Sequence, residues 1–266
     1  MLIISIGSGA PNGGSGTQYF VGDFNGTTFT SDQMDYKWLD WGTDNYAGVT
    51  YNDTPNGERI FIGWMSNWQY ALKTPAASWR SAMTLPRELT LKKINGDYML
   101  HNYPMSSVND LMEESKGETI SISNGKKYAI SNSNLGESNI SFSVPTQDFK
   151  LTFSNAAGEK TALILDAGSS LLMLDRTKSG ITDFNYEFGN KLHYAAMKYA
   201  AENLEFSIYL DRASIEVFVN SGQFTMTDQL FPSQPYTKLS IENLSSNELQ
   251  IMDLKISAIQ SVWKSN

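Results

Sequence analysis

Apolar and polar positions alternate in short runs along most of this chain, with turn-forming clusters between them. The pattern predicts strands at 2–6, 17–24, 27–30, 47–52, 59–65, 79–84, 88–94 and 97–102. Between them lie GSGAPNGGSG, Asn25-Gly26, Asp53-Thr54-Pro55-Asn56-Gly57, Pro86 and Asn95-Gly96. Such a meander of short antiparallel strands is how propeller blades are built. Over 104–117 the alternation breaks, and Ser106 or Ser107 reads as the N-cap of one or two helical turns. That places a linker at 106–117, between a first unit at 1–105 and a second at 118–266. Alternation resumes at 119–123, 140–144, 149–154, 162–166, 170–175, 204–210, 214–219, 238–242 and 249–256, the spacing of a β-sandwich. The stretch AAMKYAAE at 195–202 has helix-forming composition, and its state stays open.

Composition narrows what such a chain does. Its 266 residues are enough for one large or two medium domains with a real core. A net charge of −8 argues against nucleic acid, whose phosphates it would repel, and admits a neutral partner such as a carbohydrate. With no cysteine and only His101 and His193, far apart and expected as surface or strand residues, neither a metal site nor a cofactor is expected. The glycine-rich loop leads into the strand-like TQYFVGDF rather than a lysine-bearing helix, which argues against a phosphate cradle. No run approaches the ~20 apolar residues of a membrane span. The start lacks a basic region before its short apolar run and reads like an interior strand; the compartment is left open.

Residues 40–91 hold four of the six tryptophans, Trp41, Trp64, Trp68 and Trp79, and two carboxylates four residues apart, Asp40 and Asp44. Rigid aromatic faces beside fixed polar groups suit a sugar, which alternates C–H and O–H surfaces. The same rings also suit a β-rich core, and both readings stand. After the linker only Trp263 remains, a shift that supports a boundary near 105–118.

Five stretches, GSGTQYFVGDFNGTTF (14–29), DWGTDNYAGVTY (40–51), IGWMSNWQYA (62–71), WRSAMTLPREL (79–89) and LDRASIEVFVNSGQFTMTDQLFP (210–232), resemble glycoside hydrolase family 32 in the family's own order. This is the family of invertases, levanases and exo-inulinases. The resemblance implies an all-β chain: the last blades of a five-bladed β-propeller, then a C-terminal β-sandwich. It also implies a β-fructofuranoside substrate (sucrose, levan or inulin) and retaining hydrolysis by a carboxylate nucleophile and an acid/base carboxyl. The family's Asn-Asp-Pro, Arg-Asp-Pro and Glu-Cys motifs, which carry its catalytic carboxylates, do not stand in this sequence. The chain is therefore expected to begin just after the last of them, to have no catalytic residue of its own, and to be inactive alone.

By resemblance Trp64 is the foremost fructoside contact, with Trp68 and Tyr70 beside it. Asp44, Asn45 and Tyr46 either line the pocket or cap a turn. Trp79, Arg80, Pro86 and Arg87 are expected to hold the last blade closed. Glu216, in the apolar strand SIEVFV, is expected to be structural, at the contact between propeller and sandwich. A partial propeller leaves strand edges open, so self-association or a complementary chain is expected as partner. The competing reading is a non-catalytic fructan-binding or structural β-sandwich module.

Overall fold

In a computed structural model that describes residues 1–262, the alternating runs are strands, and they sort into two groups of sheets. Trp263 lies outside the described residues. In the first group Leu2–Ile6, Gly16–Phe20 and Lys37–Trp38 form an antiparallel three-stranded sheet. Asp97–Pro104, Arg87–Ile94, Ile60–Met65 and Tyr46–Thr50 pair in that order as one antiparallel blade, with Ala82–Met83 added on Ile60–Met65. The blade packs on the first sheet through Tyr19, Leu39, Phe61, Leu89 and Leu100.

The second group is a sandwich of two six-stranded antiparallel sheets. One runs Glu118–Ile122, Leu249–Ala258, Ser138–Pro145, Asn203–Asp211, Ser214–Val219, Phe224–Gln229. The other runs Lys127–Ser131, Lys238–Asn243, Phe149–Ser154, Lys160–Asp166, Leu171–Lys178, His193–Ala196. Their inward residues close one apolar core in which Phe142 stacks on Phe206 at 4.9 Å with Phe149 edge-on to both. Blades followed by a sandwich are the all-β arrangement expected.

Local departures have local causes. The run at 17–24 is two strands, because the chain passes Thr30 so closely at Gly22 that an added Cβ would meet the Thr30 carbonyl oxygen at 2.0 Å. Only Ala82–Met83 of 79–84 pairs, Ser81 holding a left-handed φ of 63° just before it. Ser106–Leu111 is a 3₁₀ helix, but Met105 occupies its N-cap without a side-chain bond, so neither serine caps it. At 195–202 the first residues complete the strand His193–Ala196 and the rest is irregular. Phe224–Gln229 is a further strand, buried at all six positions: Phe224 and Met226 join the core while Thr227 and Gln229 meet polar groups of the blades. His101 and His193 both sit in strands, and both are buried rather than on the surface.

The blades are fastened to the sandwich by backbone as well as side chains. Trp41 N–H donates to Thr225 O at 2.8 Å and Asp44 N–H to Thr227 O at 3.0 Å, so residues 41–44 cover the open edge of Phe224–Gln229. No side chain fits at Gly42, where a Cβ would lie 2.1 Å from Thr227 O. Val108 of the 3₁₀ helix joins Tyr209 and Phe218 on the outer face of the sandwich.

Candidate functional site

Alternation along Ile60–Met65 turns Phe61, Gly63 and Met65 inward and leaves Trp64 half-buried on the opposite face. Register sets Trp64 across from Tyr46 on one side and Met83 on the other. The Trp64 ring meets Tyr46 edge-on at 6.2 Å and Trp68 at 5.1 Å, tilted by 45°. Trp68 is 56% exposed. Three of the five expected contact residues, Tyr46, Trp64 and Trp68, thus form one aromatic face open to solvent.

Asn67 fixes the turn that carries Trp68. Its amide donates to Thr43 O at 2.9 Å and Gly13 O at 3.2 Å, and its Oδ1 accepts from Gln69 N–H at 3.0 Å. The glycine-rich loop must approach it closely: Gly14 has φ +69°, and a Cβ there would lie 2.0 Å from Asn67 Oδ1. Asn12 clamps the same loop to the sandwich, its amide donating to Tyr194 O at 2.9 Å while its Oδ1 accepts from Tyr194 N–H at 3.0 Å.

Asp44 and Asn45 lie elsewhere. They are 0% and 2% exposed; Asn45 donates to Asp40, and Asp44 lies in a polar network that joins the two parts of the chain. Arg176 is its centre, donating to Asp44 Oδ2 at 2.7 Å, to the Tyr70 hydroxyl at 2.9 Å and to Phe188 O at 3.0 Å. Tyr70 donates on to Asp44 Oδ1 at 2.8 Å, and Gln229 N–H donates to Asp44 Oδ2 at 2.9 Å. Asp228 completes the cluster, accepting from Thr43 Oγ1 at 2.7 Å and facing His193 Nδ1 at 2.9 Å. Burial pushes Asp44 above the usual carboxylate range and Asp228 adds to the push, against the pull of Arg176. Burial acts the same way on Asp228, yet His193 and Arg176 together bring it from 3.8 down to about 2.

A second buried cluster surrounds Arg87. It donates to Asp40 Oδ2 and Asn102 Oδ1, each at 2.8 Å, and to Glu216 Oε2 and Thr227 Oγ1, each at 2.6 Å. Asp40 also accepts from Thr227 N–H at 2.9 Å, Gly42 N–H at 2.8 Å and Asn45 Nδ2 at 3.1 Å. Burial raises Glu216, while Arg87 opposes it. Glu216 stands at the expected contact, and Arg87 bonds Asn102 of its own blade and also bridges to the sandwich. Trp79 and Arg80 are exposed.

Sequence reading did not find Arg176, Asp228, His193, Asn67 or Asn12. One signal existed: Arg176 falls in phase with the buried Leu172 and Leu174 of its strand, where a lone cation needs a partner.

A propeller blade locked on a β-sandwich, with Trp64 and Trp68 tilted against each other on a face open to solvent, is the fold of propeller-plus-sandwich proteins. Residues 1–104 match the model of the glycosyl hydrolases family 32 N-terminal domain and residues 107–258 that of the family 32 C-terminal domain. The chain therefore belongs to glycosyl hydrolase family 32. It is similar to a levanase of Bacillus subtilis (strain 168), 34% identical over 99% of this chain and 40% of the levanase. It is also similar to an extracellular exo-inulinase of Aspergillus niger, 36% identical over 88% of this chain and 46% of that protein. Among solved structures it resembles an exo-inulinase from Aspergillus awamori, with TM-score 0.86 and 31% identity over 98% of this chain and 53% of that one. A fructofuranosidase from Schwanniomyces occidentalis complexed with fructose shares the fold, with TM-score 0.78 and 22% identity over 97% of this chain and 56% of that one. The chain spans less than half the length of these curated relatives.

Proposed function

We propose that this chain is the C-terminal portion of a family 32 enzyme that hydrolyses β-fructofuranosides by a retaining route. In this reading the aromatic face of Trp64, Tyr46 and Trp68 contacts the fructosyl unit, while Asp44 and Asn45, both buried, play a structural part. The chain by itself does no chemistry. One observation carries this: the two carboxylates of the tryptophan-rich stretch, Asp40 and Asp44, are buried and bonded to arginines. A retaining glycosidase needs two carboxyl groups about 5 Å apart, both facing the substrate. The test is fructose release from sucrose, levan and inulin by the 266-residue chain. No release is expected; turnover would overturn the proposal.

The competing reading is a non-catalytic fructan-binding or structural β-sandwich module, to which Trp68, exposed and tilted against Trp64, would add a binding ring. Levan binding without fructose release favours it. A partner is part of the proposal as well. The apolar strand Leu2–Ile6 pairs with Gly16–Phe20 along one edge, and Leu2 and Ile4 are exposed. Such an edge favours pairing with a second copy or with a chain supplying further blades. Sedimentation velocity is expected to show concentration-dependent self-association. A strictly monomeric chain that stays soluble at high concentration would remove this part of the proposal.

A further inference from the structure

At the seam between blade and sandwich lies a groove of about 250 Å³, lined by Tyr103, Ser141, Ser143, Glu205, Ser207, Ser221 and Asp253 among others. Its floor is the outer face of the sandwich sheet. Along Ser138–Pro145 the alternation that sends Ile140, Phe142 and Val144 into the core turns Ser141 and Ser143 outward, and on Asn203–Asp211 it turns Glu205 and Ser207 outward beside them. One wall is the Tyr103 ring, on the blade's outer strand, held edge-on to Phe218 at 5.7 Å and still 36% exposed.

The two ends are shaped by unusual backbone. Ser221 and Asp253 hold left-handed φ angles of 54° and 51°, a conformation that costs a non-glycine residue about 1 kcal/mol or more. Asp253 sits where the pairing of Leu249–Ala258 with Ser138–Pro145 slips between Ser141 and Ser143, and such a bulge re-aims a side chain. Gly117 approaches it so closely that a Cβ would meet Asp253 Oδ1 at 1.8 Å, which fixes where that carboxylate points. Asn139 Nδ2 donates to Ser207 Oγ at 2.9 Å, and the Ser207 hydroxyl also bonds the Tyr209 phenol, which fixes the floor of the groove.

We infer that this groove is a second saccharide-binding site, for one or two sugar units of a neutral oligosaccharide. The chemistry of its lining selects that class. Glu205 and the lone pairs that Asp253 keeps beside Lys255 accept from sugar hydroxyls, Ser141, Ser143 and Ser221 both donate and accept, and one aromatic ring covers an apolar C–H face. The one cation at its edge, Lys255, is spent on Asp253 Oδ2 at 2.6 Å, and with Glu205 beside it the lining disfavours an anion. A metal ion needs more ligands, and among the described residues no group of three His, Asp or Glu is arranged to hold one. At about 250 Å³ it is smaller than the ~300–1,000 Å³ of sites for drug-sized ligands, which fits a chain end or a short segment. The inference does not rest on the role proposed for Trp64.

The test is an amide NMR titration of the intact chain with sucrose, and then with a short fructo-oligosaccharide, to roughly 100 mM, where a millimolar site is saturated. Saturable shifts are expected at Ser141, Ser143, Ser207 and Ser221, surviving Trp64→Ala. Tyr103→Ala is expected to weaken binding at least tenfold. Because that ring also packs on Phe218, Glu205→Gln, at an exposed position, serves as the second variant and is expected to weaken binding several-fold. Shifts confined to the Tyr46, Trp64 and Trp68 face, no shifts at all, or unchanged affinity in both variants would each overturn the inference.

Discussion

Arg87→Ala is expected to cost this protein about 3–5 kcal/mol, the range found when one partner of a buried ion pair is removed. The side chain is fully buried and touches four acceptors at 2.6–2.8 Å, two of them the carboxylates of Asp40 and Glu216. Its removal strands both carboxylates out of water, and Glu216, already raised by burial, loses the cation that opposes that rise. The loss falls on the join between the two parts, since Asp40 belongs to the blades and Glu216 to the sandwich. Urea unfolding followed by tryptophan fluorescence reads the blades, where Trp38, Trp41, Trp64, Trp68 and Trp79 all lie, and far-UV circular dichroism reads both parts. In the variant the fluorescence transition is expected to move to lower urea, ahead of the circular dichroism transition. Coincident transitions shifted by under about 1 kcal/mol would show that the pair adds nothing beyond its desolvation cost.

Arg176→Ala is expected to destabilise by a similar ~3–5 kcal/mol, with a pH signature set by Asp44. Arg176 is the cation between Asp44 and Asp228, at 2.7 and 3.5 Å. Without it two buried carboxylates face each other across Thr43 Oγ1, at 3.2 and 2.7 Å, and one must keep its proton. Asp44, which burial already raises, is the one that rises further. A carboxyl whose folded pKa lies above its unfolded value stabilises below the unfolded pKa and loses that contribution as pH rises through the folded pKa. The variant is therefore expected to be closest to the parent near pH 4 and furthest from it above pH 7. In the parent the neighbouring Asp228 has the opposite sign. Brought from 3.8 to about 2, it contributes about 2 kcal/mol above pH 4 that fades as pH falls toward 2. Unfolding free energies at three pH values decide the matter. A pH-independent difference between variant and parent would contradict the assigned coupling.

Strands, turns and the order of blades before sandwich were legible because each is written locally. Period-two alternation needs only neighbouring residues, and Asn25-Gly26 closes the hairpin of Asp23–Phe24 with Phe29–Thr30 through Asn25 Oδ1, three residues or fewer from its partners. Phe224–Gln229 alternates as well, but that its Thr227 and Gln229 are buried against Arg87, Asp40 and Asp44 is nothing its local pattern encodes. The candidate site divides along the same line. Trp64 and Tyr46 are cross-strand neighbours, and Trp68 lies one short turn beyond Trp64, so an aromatic face was visible in the sequence.

What the sequence determined by itself, then, is the all-β architecture, the family motifs and the tryptophan face, all carried by residues close along the chain. The tertiary structure alone decided what Asp40, Asp44, Arg87 and Glu216 do. Arg87 meets Glu216 across 129 residues and Arg176 meets Asp44 across 132. No local propensity encodes which buried cation faces which carboxylate. That choice is made when blade and sandwich close on each other, because a charge removed from water must find its opposite wherever the fold brings one.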